Sequence, residues 1–279
     1  MSTAASAQTP SKPKAEFEVA SVRPSAPVQL NSAVSVGLKM DGQHARFTSF
    51  SLRNYIAMAY QVSDKQVMGP DSIEDRFDVQ GTLPPDVKAD RLSELVEGLL
   101  RDRFQLKIHR ESRDLPAYVI SIGKPPLQLK EVVIDKAIAE RQDVDAAGTG
   151  SGNGVAVNLG NGTSYTFANN KFEGKGMGMG MLADQIGNYL DHVVVDQTGL
   201  TGRYDFAVEI SQEDYQAMLL RAAMGAGYTL PPFLRQRVDS VTLTSIYQGF
   251  EKLGLKLDQK KTAQPVIVVD GILKAPTEN

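Results

Sequence analysis

The pattern of apolar and polar positions divides the chain into short alternating strands and amphipathic helices, and the division occurs twice. Phe17-Glu18-Val19-Ala20-Ser21-Val22 alternates and predicts a strand, which Pro24 and Pro27 end. Residues 28–44 predict a loop with one short strand, and Arg46-Phe47-Thr48-Ser49 a further strand. Ser51 is an N-cap residue type. Leu52, Tyr55, Ile56, Ala59 and Tyr60 follow at helical spacing on one face. Gly69-Pro70-Asp71 is a turn signal, and residues 75–81 predict a strand with Phe77 and Val79 on one side. After Pro84-Pro85 a helix is predicted by the stripe Leu92, Leu95, Val96, Leu99 and Leu100. Residues 104–110 and 115–122 then predict a hairpin turning at Glu111-Ser112-Arg113-Asp114.

A connector covers residues 124–164. It holds Pro125-Pro126 and a Gly/Asn-rich stretch from Gly148 to Gly162. Loops of that length are unusual inside a compact domain, so it is the expected boundary. Val155-Ala156-Val157 adds a strand that Asn161-Gly162 closes as a hairpin. Beyond it, Leu182, Ile186, Tyr189 and Leu190 predict a helix, Val193-Val194-Val195 a buried strand, and residues 203–210 another. Leu243, Ile246, Tyr247 and Phe250 predict a helix. Residues 254–258 and 265–272 predict a closing hairpin.

The second series repeats the first. Arg203-Tyr204-Asp205-Phe206 stands where Arg76-Phe77-Asp78-Val79 stood, and Leu255-Lys256-Leu257 where Leu106-Lys107-Ile108 stood. Pro116 and Pro265 each follow their leucine by ten positions. The expected fold is therefore α+β: two repeated subdomains, residues 16–123 and 165–279, each a small, mostly antiparallel sheet with two helices on one face. Phe77 to Leu106 spans 29 positions and Tyr204 to Leu255 spans 51, so the second copy carries an insertion of 22 residues. It falls at about 211–238, as a helix near Asp214–Met224 and a loop through Gly225-Ala226-Gly227 to Pro231-Pro232.

Charge and composition narrow the possible roles. Thirty basic and 33 acidic residues give a net charge of -3, so nucleic acid is not an expected partner. No apolar run approaches the ~20 residues of a transmembrane helix. The chain contains no cysteine, which excludes disulfides and thiolate catalysis. Ala4-Ala5-Ser6-Ala7-Gln8 has the small residues of a secretory cleavage site. Residues 1–15 are expected to be a disordered remnant of such a signal, its core missing, with an ordinary Ala/Ser/Pro-rich terminus as the other reading. The expected location is secreted or periplasmic.

Several phrases resemble one family. Phe17-Glu18-Val19-Ala20-Ser21-Val22-Arg23-Pro24-Ser25 looks like its opening signature. Leu52 to Tyr60 and Leu99 to Lys107 look like its middle, and Asp196 to Phe206 and Pro276-Thr277-Glu278-Asn279 like its second half. The family is an uncharacterised, soil-associated group abundant in acidobacteria and treated as a domain of unknown function. Its members usually carry a signal peptide, and some are fused to membrane metallopeptidase sensors like the beta-lactam regulators. The resemblance implies an extracytoplasmic sensory or interaction role and brings no catalytic residues with it. The order of elements is also similar to the N-terminal signalling domains of secretins and TonB-dependent receptors, a likeness at the level of fold alone.

Candidate chemistry is sparse. In Gly176-Met177-Gly178-Met179-Gly180-Met181, strand alternation would align three thioethers, which suit Cu(I), with His192 as a further ligand. Superposing the copies instead puts Met177 on Phe47 and makes the methionines apolar framework. The same glycines ahead of a helix could cradle an anion. His44, His109 and His192 lie in no zinc-binding spacing. Asp78 and Asp205 could pair for acid–base work, but each shares a strand face with its own arginine, where a local ion pair is the simpler expectation. Tyr215, Tyr228 and Phe233 in the insertion could form an aromatic binding surface or staple the insertion to the core. No cofactor is implied. The expected role is a non-enzymatic binding, sensory or protein-interaction module for an unknown protein or small ligand. An extracytoplasmic hydrolase with a site between the subdomains, and a self-assembling structural protein, are the alternatives.

Overall fold

The computed structural model describes residues 16–27, 36–146 and 154–277. The expected signal remnant at 1–15 and the Gly-rich part of the connector at 147–153 lie outside them. The described residues form a mixed α/β structure with seven α-helices and two sheets, of ten and four strands.

The first half of the chain contributes β1 (Val19–Pro24), β2 (Gly37–Asp41), β3 (His44–Ser51), α1 (Leu52–Tyr60), β4 (Val67–Met68), β5 (Arg76–Thr82), α2 (Leu92–Phe104) and β6 (Lys107–Ile122). Local chemistry sets the helix ends. The Ser51 hydroxyl accepts from the Asn54 N–H at 3.1 Å, while Asn54 Oδ1 accepts from the Ser51 N–H at 3.0 Å, a reciprocal cap at the start of α1. Gln61 and Gln105, both left-handed, end α1 and α2. The connector supplies β7 (Lys130–Glu131), α3 (Lys136–Ala139), β8 (Val144–Asp145) and β9 (Gly154–Gly160). The second half adds β10 (Thr163–Ala168), β11 (Lys171–Met177), α4 (Met179–Gly187), β12 (Val193–Asp196) and β13 (Tyr204–Glu209). It ends with α5 (Gln212–Gly225), α6 (Pro232–Ser240), α7 (Thr244–Lys252) and β14 (Leu255–Gly271). Where one helix and a loop were expected, the segment between β13 and α7 forms two helices, α5 and α6.

The sheets are not confined to one half. The large sheet runs β1-β5-β3-β2-β8-β9-β10-β11-β13-β7, passing from the first half to the second through β8 and β9. The small sheet runs β12-β6-β14-β4. Here the expected hairpins give way to something longer. Residues 107–122 form one strand, and so do residues 255–271. The two pair antiparallel from Leu255↔Ile122 to Gly271↔Lys107. Glu111-Ser112-Arg113-Asp114 lacks the Asn-Gly or Asp-Gly pair that favours a tight hairpin turn. The segment stays extended because an equally long partner lies alongside it. Both prolines fall where a flanking strand has yet to join. Pro116 immediately precedes Ala117, which pairs with Val193 of β12, and Pro265 lies just before Ile267, which pairs with Val67 of β4. The missing N–H therefore breaks no ladder on that flank.

Each long strand ends in the other half's core. The first core gathers Phe47, Leu52, Tyr55, Ile56, Phe77, Leu95, Leu100 and Phe104, and is completed by Ile267 and Val269 from β14. The second gathers Phe167, Phe172, Met177, Leu182, Ile186, Ile246 and Phe250, and is completed by Tyr118 and Ile120 from β6. Burial of these strand ends removes apolar surface that neither half could cover alone. The exchange is open to test with Ile267→Ala. It should cost about 2–5 kcal/mol, the usual penalty for emptying a buried isoleucine site. Hydrogen exchange should rise in α1 and α2, far away in sequence. A loss of protection restricted to residues 255–271 would contradict the shared core.

Candidate functional site

The two Arg-x-Asp tetrads hold the candidate paired carboxylates, Asp78 and Asp205. In β3 the register against β5 slips between Phe47 and Phe50, and in β11 the register against β13 slips between Gly174 and Met177. Each slip is a bulge with one residue at positive φ: Ser49 at 55° and Gly176 at 56°. Asp78 Oδ1 accepts the Ser49 N–H at 2.8 Å, and Asp205 Oδ1 accepts the Gly176 N–H at 2.8 Å. Arg76 Nη1 donates to the Ser49 carbonyl at 2.6 Å. Arg203 Nη1 reaches the Gly176 carbonyl at 3.5 Å and bonds Asn161 O at 2.8 Å and Thr163 Oγ1 at 3.0 Å. Among the described residues no ion pair joins Arg76 to Asp78 or Arg203 to Asp205. The expected local pair is replaced by a clamp in which each partner grips one side of the same bulged residue, because a bulge leaves backbone groups that the ladder cannot satisfy. Burial pulls the Arg76 guanidinium below its usual range, partly offset by Glu74.

The methionines divide at the strand-to-helix junction. β11 ends at Met177 and α4 begins at Met179, so strand alternation does not continue. Met177 and Met179 are buried in the second core, whereas Met181 is 40% exposed. His192 lies beside Asp191, Nε2 to Oδ2 3.4 Å, with its ring 6.0 Å from that of Tyr118. Among the described residues no three His, Asp or Glu side chains gather to hold a metal ion. Gly178 caps α4 without a side-chain bond.

The sequence did not point to the small polar constellation around His192. The Tyr118 hydroxyl donates to Asp191 Oδ1 at 2.8 Å, and the Tyr247 ring lies 6.2 Å from that of Tyr118. Burial, then the Asp191 carboxylate, raises the Tyr118 phenol well above its usual range. Its members come from β6, the α4–β12 loop and α7, so no local motif could announce it. A second cluster is exposed on the long strands. His109 Nδ1 lies 2.8 Å from Asp270 and Nε2 3.0 Å from Glu111, which also accepts from Arg113 Nε at 2.6 Å.

The insertion's three aromatics have different surroundings. Tyr215 is buried, its ring 4.7 Å from that of Phe167 in the second core. Tyr228 is half-buried just beyond α5, and Phe233 on α6 is 69% exposed. Asp214 is buried and anchors the base of α5 by accepting from the Ser245 N–H at 2.8 Å and the Ser245 hydroxyl at 2.5 Å. An open groove of about 390 Å³ lies along α6, lined by Thr229, Leu230, Pro232, Arg235, Gln236 and Asp239. Another, of about 650 Å³, lies between the β2–β3 turn, the loop at 85–88 and the segment after α3.

The Ser49 hydroxyl is buried without a partner, at a φ that serine adopts at a cost. Ser49→Gly should raise stability by about 1 kcal/mol, the relief of strain and of an orphan hydroxyl exceeding the entropy cost of glycine. Gly176→Ser should destabilise, since a Cβ there would meet the Gly162 carbonyl oxygen at 2.5 Å. Equal and opposite shifts in unfolding midpoint are not expected, but the opposite signs are. The His109 imidazole pKa is raised above its usual value, first by Asp270 and then by Glu111. Its contribution to stability is fully present below the unfolded imidazole value of about 6.5 and is lost as pH rises through the raised folded value. An NMR titration should place the His109 midpoint above that of a free imidazole, and Asp270→Asn should lower it. An unshifted midpoint in the native protein would refute the pairing.

Comparison with known proteins bears on the family. No curated protein and no solved structure matches the chain. One family model, described as Protein of unknown function (DUF3738), matches residues 53–272, from the start of α1 to the end of β14. That span takes in the second core, most of the first and helices α5 and α6, and the chain belongs to this DUF3738 family.

Proposed function

We propose that the protein is an extracytoplasmic, non-enzymatic binding module built from two related halves, with its contact surface on the α5–α6 hairpin. The observation that carries the reading is Phe233, 69% exposed on α6, the helix that also lines an open groove with Pro232 and Arg235, in a segment that the first half lacks. A large aromatic held in water on a helix that lines an open groove is the composition of a contact surface. Relatedness of the halves is supported by the matching order of β3-α1-β4-β5-α2-β6 and β11-α4-β12-β13-α7-β14, and by a clamped bulge at the same place in each. The non-enzymatic part is supported by the work Asp78 and Asp205 do as backbone clamps. The location rests on the resemblance to a soil-associated family whose members usually carry a signal peptide.

One observation favours the hydrolase alternative: the Tyr118–Asp191–His192 chain of contacts, with both Asp191 and His192 reaching solvent. The readings separate experimentally. Immobilised protein should retain components of cell-envelope extracts, and Phe233→Ala should cut that retention about tenfold, as loss of one anchor of roughly 1.4 kcal/mol would, without lowering the melting temperature. Full retention by the folded variant would remove the hairpin as the surface. Turnover of peptide, ester or glycan substrates, lost in a folded His192→Ala variant, would overturn the non-enzymatic reading.

A further inference from the structure

The far end of α5 is a helix terminus completed by the other half of the chain. Tyr228 N–H bonds Ala223 O at 3.0 Å and Gly227 N–H bonds Met224 O at 2.9 Å, with Gly227 at φ +92°. This is the paired closure that a left-handed glycine allows. It leaves the Gly225 carbonyl outside the closure, and α5 has no basic residue in its last turn to offset its C-terminal dipole. Arg76 of β5 fills both needs: Nη2 donates to Gly225 O at 3.1 Å. The fit is close, since a Cβ on Gly227 would overlap the guanidinium.

The same guanidinium holds the Ser49 bulge through Nη1. Asp78 in turn holds the Ser49 N–H and accepts from the Ser25 hydroxyl, just beyond β1, at 2.5 Å. A continuous chain of bonds thus runs from the N-terminal edge strand, through the bulge, to the helix that leads to the exposed hairpin. At its other end α5 is fixed in the second core by Asp214 and Tyr215.

We propose that Arg76 is a latch: by capping α5 from the first half it fixes the position of the α5–α6 hairpin and couples that position to the β1–β3–β5 edge. The inference stands whatever the hairpin binds. Arg203 supplies an internal control, because it clamps the equivalent bulge and its bonds go to Asn161, Thr163 and Gly176 rather than to the insertion.

Hydrogen exchange followed by mass spectrometry on the full chain tests it. Arg76→Ala should speed exchange about tenfold across residues 223–230, the effect of losing one hydrogen bond to a charged group, and should also loosen β3. Arg203→Ala should loosen residues 161–163 and 176 and leave 223–230 as protected as in the native protein. Arg76→Lys, with one nitrogen for two carbonyls, should give a smaller loss in the same region as Arg76→Ala, and it decides the matter if the alanine variant does not fold. Native protection at 223–230 in the folded Arg76 variants, or an equal loss in Arg203→Ala, would overturn the latch.

Discussion

The structure depends on the antiparallel ladder between β6 and β14. Most of the fold is local: a bulged strand leads into a helix, a short strand follows, and a second helix packs nearby. None of that closes a core. Closure comes when Tyr118 and Ile120 enter the second half and Ile267 and Val269 enter the first. The ladder is also strongly non-local, joining residues 107–122 to residues 255–271. Such contacts carry a large loop-closure cost before they return any burial. Placing buried side chains at both ends of one ladder makes the two cores stand or fall together.

Much of the local structure was legible from spacing. The stripe from Leu92 to Leu100 and the face from Leu52 to Tyr60 are where periodicity put them, because an amphipathic helix needs only its own sequence to declare which side is buried. The long strands were not legible. Charged residues at 111–114 look like a turn when read locally, and the partner that keeps them extended lies some 150 residues further on. Nor does strand alternation reveal where a ladder slips. The Arg-x-Asp spacing correctly put both side chains on one face, but the bulges at Ser49 and Gly176 changed what they meet. The glycine at 176 was a usable signal for left-handed backbone; serine at 49 concealed it.

The candidate surfaces were legible to a lesser degree. Comparing Phe77–Leu106 with Tyr204–Leu255 singled out residues 211–238, where α5 and most of α6 lie. It could not tell Tyr215, which packs on Phe167, from Phe233, which faces water. Both are aromatic residues on helices of weak amphipathicity, and only packing separates them. The Tyr118–Asp191–His192 contacts were out of reach for a different reason: three elements from both halves meet there, and no spacing rule links them.

The α5–α6 hairpin is held from both halves of the chain. Its base uses groups that α5 and α7 offer, Asp214 against Ser245. Its far end borrows Arg76, which also holds the Ser49 bulge. A guanidinium can do both because its fork presents separate nitrogens to separate carbonyls, and the helix dipole at Gly225 favours the charge. Arg203 has the same fork but spends it on Asn161, Thr163 and Gly176. Two arginines that each hold a bulge therefore differ in what else they bond: Arg76 uses Nη2 for Gly225 of α5, whereas Arg203 reaches its three partners through Nη1. Through that Nη2 bond Arg76 joins the helix that leads to Phe233 to the opposite half of the chain.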